Sequence, residues 1–351
     1  MRRIEVTSQL SPKLKQALQT LLDLDQETLE AAWHSCSQKG RGYFTQKIRQ
    51  APSGKIREIH IAQPAMHTVQ QRILKRVLYS LPISKAAFGG IPKRSHVGAA
   101  KTHLQQAGEI LQCDIVNAFS TTSYHQVSKA LRSRLKSTLV AFSLTAEERR
   151  ALVGFLVHLM VVSPAGGRFP KLPLGTPTSL AAFNLVWAEI DAEIIKLCHQ
   201  LSPNDELRYT RYVDDLTFSS NQHIPQELMP RLVYLLKKHG YTLNEEKTRR
   251  AHRDQAIIHG LCWRNEQLDL PDQSILNLAK RVHRLQALVT GHPTPQQWQH
   301  ASQLLKELDF LVQEVYGEES RPQGLVVSSA LRQLINTKQH QPARWADELW
   351  G

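Results

Sequence analysis

Apolar residues recur at Leu14, Leu18, Leu21 and Leu22, with Leu29 beyond Asp25, a three-and-four spacing that predicts helix over residues 1–50. The period then changes. A basic turn, Ser53-Gly54-Lys55, leads into Ile56, Ile59 and Ile61, which predicts a hairpin of short strands ended by Pro64. Residues 70–81 return to helical spacing at Ile73, Leu74, Val77 and Leu78. A loop over 86–98 holds Gly89-Gly90 and Pro92, followed by a strand over 111–119 and a helix over 124–135. Residues 146–162 form a strongly apolar helix, 163–177 a Gly/Pro loop, and 179–201 another long helix. Two strands, 207–212 and 216–219, flank a tight acidic turn. A helix over 226–239 is stopped by Gly240, strand-like sequence covers 255–264, and the chain is helical from 273 with interruptions at Pro293 and Pro295. No internal repeat or low-complexity tract occurs. This order predicts an α+β sheet with helices on one face and a helical tail as a separate subdomain.

Composition narrows the class. A hydrophobic fraction of 41% in 351 residues supports a real core and argues against disorder. The net charge of +13 and pI near 9.7 fit a polyanionic partner, nucleic acid before membrane surface, although a merely basic protein would look the same. Met1-Arg2-Arg3 leads into polar sequence rather than a secretory signal, and the longest apolar run, 151–162, is too short to span a bilayer. Cys36, Cys113, Cys198 and Cys262 are scattered with no CxxC pair, which reads as free thiols in a reducing cytoplasm. The sixteen histidines include no HExxH.

The sharpest chemistry lies in Tyr212-Val213-Asp214-Asp215, between two strands. Adjacent carboxylates at a hairpin turn repel one another, and a hard divalent cation such as Mg²⁺ resolves that repulsion. A solvated Asp-Asp turn would carry the same residues. Asp114, near the end of an apolar strand in Cys113-Asp114-Ile115-Val116-Asn117-Ala118-Phe119, adds a third carboxylate about a hundred residues upstream. That is the donor set of a two-metal site, in which ions roughly 3.5–4 Å apart serve the attacking and leaving oxygens.

In this order the motifs resemble the retron-type reverse transcriptases of bacteria, over roughly residues 40–265. Lys55-Ile56-Arg57-Glu58-Ile59 with Gln71-Arg72-Ile73-Leu74 is similar to the family's first fingers block, and Ala87-Phe88-Gly89-Gly90 through Arg94-Ser95 and 99–103 to its second. Asp114 to Phe119 resembles the first catalytic block; Leu172-Pro173-Leu174-Gly175-Thr176-Pro177-Thr178-Ser179 with Asn184 resembles the template and nucleotide block. Tyr212 to Asp215 is the YxDD box, and Gly240, Asn244, Lys247 and Thr248 resemble the lysine block, with residues 257–265 where a primer-grip strand would be. Three positions depart from the pattern. Leu174 stands where the family has Gln, Ala99 where retron enzymes carry Asn ahead of Ala100 and His103, and Ile258-His259-Gly260 where they carry Val-Thr-Gly. A literal Val289-Thr290-Gly291 falls later, in a helical stretch.

The resemblance implies a right-hand polymerase: an N-terminal helical extension (1–50), fingers (51–110 with part of 125–178), a palm with an antiparallel sheet (111–267) and a helical thumb (268–351). It implies an RNA-directed DNA polymerase with two Mg²⁺ held by Asp114, Asp214, Asp215 and the Ile115 backbone, acting on dNTPs and an RNA–DNA duplex. Lys55 and Arg57 would hold the triphosphate, since guanidinium forks onto phosphate. Phe119 falls at the residue that meets the sugar 2′ position, although a core aromatic would also suit it. Gly175 and Pro177 would shape the loop beneath a base pair, and Lys247 is a candidate proton donor to pyrophosphate, or else a solvated lysine in a charged 245–247 turn. The partner implied is a structured non-coding RNA serving as template and primer, with phage defence as the role, cytoplasmic location, no membrane and an accessory effector protein possible. Two other readings stay open: a non-retron defence reverse transcriptase with different priming, and a polymerase-derived RNA-binding subunit with little synthesis.

Overall fold

The computed structural model describes residues 11–37, 42–49, 56–106, 108–163, 169–204, 206–290 and 294–316. In chain order these form α1 (Pro12–Leu22), α2 (Gln26–Ser37), β1 (Tyr43–Arg49), β2 (Ile56–Ala62), α3 (Pro64–Arg72), α4 (His96–Leu104), β3 (Glu109–Ile115), α5 (Ala118–Thr121), α6 (Tyr124–Arg134), α7 (Lys136–Val140), α8 (Ala146–His158) and α9 (Ser179–Leu201). There follow β4 (Arg208–Tyr212), β5 (Asp215–Ser219), α10 (Leu228–Lys238), β6 (Leu243–His252), β7 (Cys262–Arg264), β8 (Gln267–Asp269), α11 (Asp272–Thr290) and α12 (Pro295–Tyr316). The chain divides into two compact units, residues 1–95 with 111–250 and residues 96–110 with 251–351. Expected boundaries fell at 50/51, 110/111 and 267/268.

The first unit is built on a four-stranded sheet in the order β4-β5-β3-β6, with β4 and β5 antiparallel. Its helices begin where local chemistry tells them to. Ser11 accepts from the Leu14 N–H ahead of Pro12, and reciprocal side-chain and backbone bonds between Ser123 and Gln126, and between Thr145 and Glu148, open α6 and α8. Helix α9 is the spine: Phe183, Trp187, Ile190 and Ile194 are buried in a core shared with Phe155 of α8, Leu216 and Phe218 of β5, and Leu232 of α10. The second unit has its own core, joining Val97, Ala100 and Leu104 of α4 to Ile258, Leu261 and Leu268, and to Ala301, Leu305 and Leu308 of α12.

Several expected elements differ. Helix ends at Ser37, and Tyr43–Arg49 is a strand paired residue for residue with β2. Phe44 and Ile48 stand four apart and mimic helical spacing, whereas cross-strand pairing decides the conformation. Pro64 begins α3 rather than merely closing the hairpin, as its fixed φ and missing donor allow at a first helical position. The helix expected over 70–81 starts at Pro64 and tightens or widens after Arg72 into a π turn (Ile73–Val77) and a 3-10 turn (Leu78–Ser80). The β3 strand stops at Ile115 because Asn117 turns left-handed (φ 50) and a one-turn helix, α5, follows. The charged 245–247 segment is no turn. It lies within β6, the edge strand, whose exposed polar residues hide the apolar alternation of an interior strand. Asn265 and Glu266, both at positive φ, fold the sequence near 264 back into a β7–β8 hairpin.

No helix among the described residues is long and apolar enough to cross a membrane. Burial pushes the Cys113 and Cys198 thiols up to about 12, so neither is poised as a thiolate.

The second unit carries an acid-sensitive ring. His259 occupies the left-handed region (φ 51) between the bridged residues Ile258 and Leu261. Burial, with His96 adding to it, pulls its pKa from 6.5 to about 4. The fold therefore favours the neutral ring. Its contribution is full above pH 6.5 and is lost as pH falls through 4, up to about 3 kcal/mol in all. His259→Asn, which suits a left-handed residue and does not titrate, should flatten the loss of unfolding free energy between pH 7.5 and 5 by about 2 kcal/mol in urea titrations. A variant with the wild-type pH slope would show that the ring contributes nothing there.

Candidate active site

Strands β4 and β5 end on the pair Tyr212↔Asp215, so Val213 and Asp214 alone make the hairpin loop. Val213 has φ 59, a position that two-residue hairpins usually give to glycine. A β-branched residue there is disfavoured by about 1–2 kcal/mol, so the surroundings must hold it. They do so from three sides. The Val213 carbonyl accepts from Arg211 Nη1 at 2.9 Å, the Asp214 carbonyl accepts from the Ile115 N–H at 3.1 Å, and Gly89 lies beneath. A Cβ on Gly89 would stand 2.6 Å from Val213 Cγ2 and 2.7 Å from its nitrogen, so only glycine fits.

Arg211 is fully buried. Its Nε and Nη2 both reach Asp191, at 2.9 Å each, and Nη1 also donates to Asn184 Oδ1 at 3.0 Å. Asp191 accepts Tyr209 Oη as well, at 2.8 Å. Burial alone would lower the guanidinium's pKa, but the Asp191 carboxylate reverses this and holds it above its ordinary value. The Phe183 and Trp187 rings flank the cation at 5.4 and 5.1 Å. The backbone continues the arrangement. Arg211 N donates to Ala86 O at 2.7 Å, Phe88 N to Arg211 O at 2.8 Å, and Asn184 Nδ2 to Gly89 O at 2.9 Å. Residues 86–88 thus run beside β4 and deliver Gly89 to the acidic turn.

Asp114, near the end of β3, is mostly buried. Lys247 Nζ lies 2.7 Å from its Oδ1 and Asn244 Nδ2 3.4 Å from its Oδ2, both from β6. Burial raises the Asp214 pKa, the Asp114 charge adds to the rise, and Arg57 and Lys247 oppose it. Asp215 is pushed up to about 6 by burial, then by Asp214 and Asp114. The three carboxylates thus feel one another, with Arg57 and Lys247 as counter-charges. Among the described residues no three acidic, His or Cys side chains close into a preformed cage. That donor chemistry still suits Mg²⁺, which takes one or two protein carboxylates and completes its shell from water and phosphate.

The remaining predicted residues lie as follows. Gly175 (φ 98) presses on β2, where an added Cβ would meet Ile59 Cγ2 at 2.4 Å, and the Leu174 carbonyl accepts from His60 N at 2.8 Å. Pro177 is half-buried just ahead of α9. Phe119 is half-buried with its ring 5.1 Å from that of Phe183. Lys55 lies outside the described residues. Sequence reasoning gave no role to Arg211 or Asp191. Their signal was present: a cation, Arg211, beside the acidic turn on the buried part of β4, and a carboxylate on the helix stripe of Phe183, Trp187, Ile190 and Ile194.

The fold is that of a right-hand polymerase, and the comparison with known proteins agrees: the reverse transcriptase (RNA-dependent DNA polymerase) family matches residues 47–266, more than half of the chain, which belongs to that family. It is similar to the retron Mx65 reverse transcriptase of Myxococcus xanthus, 30% identical over 230 residues covering 64% of this chain and 51% of that protein. The retron Mx162 enzyme of the same organism is 30% identical over 215 residues (57% and 42%), and the retron Ec86 enzyme of Escherichia coli 23% over 262 residues (74% and 74%). The chain therefore spans about half the length of the two Myxococcus relatives. The resemblance to the retron type carried by the motifs is matched by these relatives. A solved apo telomerase from Candida tropicalis, truncated from its C-terminal domain, aligns at a TM-score of 0.42 and 10% identity over 65% of this chain and 55% of that one, a likeness too slight to argue from.

Proposed function

We propose that this chain is a retron-type RNA-directed DNA polymerase that copies a structured non-coding RNA into DNA. The observation that supports it most is that the Asp214 carbonyl accepts from the Ile115 N–H at 3.1 Å, next to Asp114, while Lys247 Nζ lies 2.7 Å from Asp114 Oδ1, in a member of the reverse transcriptase family. Asp114, Asp214 and Asp215, with the Ile115 carbonyl, would hold two Mg²⁺, which when bound would activate the primer 3′-hydroxyl and steady the leaving pyrophosphate. Arg57 and Lys55 would bind the triphosphate of a dNTP. Lys247, held beside Asp114, would supply a proton to pyrophosphate. Phe119, braced by Phe183, would bar a ribonucleotide by contact with its 2′-hydroxyl. Gly175 and Pro177 would support the nascent base pair.

In this reading β1 and β2 belong to fingers, the β3–β6 sheet to a palm, and α11 and α12 to a thumb. Helix α11 exposes Lys280, Arg281, His283 and Arg284, cations suited to the phosphates of an RNA–DNA duplex. The retron likeness supports phage defence in the cytoplasm, with an accessory effector protein, as the biological setting.

Primer extension on an RNA template tests the chemistry. Asp114→Asn, Asp214→Asn and Asp215→Asn should each lower DNA synthesis by at least about 100-fold with the fold retained by circular dichroism. Robust extension by Asp214→Asn would overturn the two-metal mechanism, and none by the wild type would replace this reading with that of an RNA-binding subunit. Sugar choice is a second test. Phe119→Val should raise ribonucleotide incorporation relative to dNTPs, and unchanged discrimination would make Phe119 a core residue only. The RNA is a third. Protein purified from its host should carry one enriched structured RNA with complementary DNA joined to it, detected by sequencing after ribonuclease and debranching treatment. A broad RNA mixture, or DNA joined to a protein side chain, would exclude the retron mode.

A further inference from the structure

The acidic turn is held in place by groups that are not themselves acidic ligands. Val213 keeps a left-handed backbone, and the one side chain bonded to its carbonyl oxygen in the described network is Arg211, at 2.9 Å. That guanidinium cannot swing away, because Asp191 grips it through two nitrogens and Asn184 through a third contact. Asn184 then ties the same cation to the Gly89 carbonyl, and Gly89 is the residue pressed against Val213. Three segments distant in sequence (86–89, 184–191 of α9, and 211–214) therefore meet at one turn. We propose that Arg211, clamped by Asp191 and relayed through Asn184, is the positioning residue that sets where the Asp214 and Asp215 carboxylates stand. This rests on the nucleotidyl-transfer reading above, in which those carboxylates hold metal.

The chemistry of the clamp separates positioning from mere stability. A lone buried Arg or Asp would destabilise the fold, so single substitutions at either confound the two roles. Replacing both partners by apolar residues of similar size removes the buried charges together and is often tolerated. Arg211→Met with Asp191→Leu should therefore fold, yet leave the Val213 carbonyl without its donor and the turn free to shift. Asn184→Ala offers a milder cut, since it keeps the ion pair and removes only the relay to Gly89.

The test measures Mn²⁺ binding by electron paramagnetic resonance, alongside steady-state primer extension and thermal unfolding. For the folded double variant we expect Mn²⁺ affinity to fall about tenfold and kcat about 100-fold, with the KM for dNTP nearly unchanged, because a displacement near 1 Å costs rate more than nucleotide binding. Asn184→Ala should show the same pattern at roughly a tenth of the size in kcat. A folded double variant with wild-type Mn²⁺ affinity and kcat would overturn the proposal, and if the double variant does not fold, wild-type behaviour of Asn184→Ala overturns it. A wild-type protein that neither binds Mn²⁺ nor extends a primer would instead sink the polymerase reading itself.

Discussion

An arginine and an aspartate with no solvent exposure at all, Arg211 and Asp191, form the contact on which the candidate site depends. Moving two charges out of water is expensive, and the mutual attraction repays it only when the remaining donors and acceptors are also satisfied. Here they are. Four N–H groups of Arg211 find Asp191, Asn184 and the Val213 carbonyl, and Asp191 accepts Tyr209 besides. Two aromatic faces cover the cation. Such a pair is weak as a source of net stability but strong as a specifier, because any rearrangement strands a buried charge.

That rigidity reaches in two directions. Toward the turn it fixes a backbone conformation that Val213 would not adopt alone. Toward Phe119 it passes through rings: Phe183 lies against Arg211 and Phe119 lies against Phe183. Trp187 extends the same stack to Tyr241, whose hydroxyl meets Thr122 Oγ1 at 2.8 Å just beyond α5. The acidic turn and the aromatic proposed to read the sugar are thus braced by one packed cluster rather than by independent supports, and a core of native density transmits a shift at one to the other.

Legibility in the sequence followed the range of the forces involved. Helices with local start signals, such as Ser123 with Gln126 and Thr145 with Glu148, could be placed within a few residues. The acidic hairpin was readable because its two strands and its carboxylates are contiguous. Strand β1 was misread because its partner, and not its own spacing, makes it a strand. Strand β6 was missed because an edge strand rich in Glu, Lys and Arg carries no apolar period. Arg211 and Asp191 went without a role for the same reason: a charge looks like surface until its partner, twenty residues away, is seen buried with it.

The departures from the retron pattern also make sense once buried and backbone-bound positions are separated from the rest. At position 174 the contact to β2 is made by the carbonyl oxygen, which any residue supplies, so Leu for Gln leaves the loop's attachment to His60 intact. In α4, Ala99, Ala100 and His103 are all fully buried, and a small apolar residue at 99 avoids enclosing an amide that would need partners of its own. At 258–260, Ile258 is fully buried while Gly260 keeps the left-handed backbone (φ 82) that closes the turn. In each case the volume or the backbone geometry that the fold needs is present. What has changed is side-chain chemistry at positions where the described structure assigns none to the carboxylates or to their clamp.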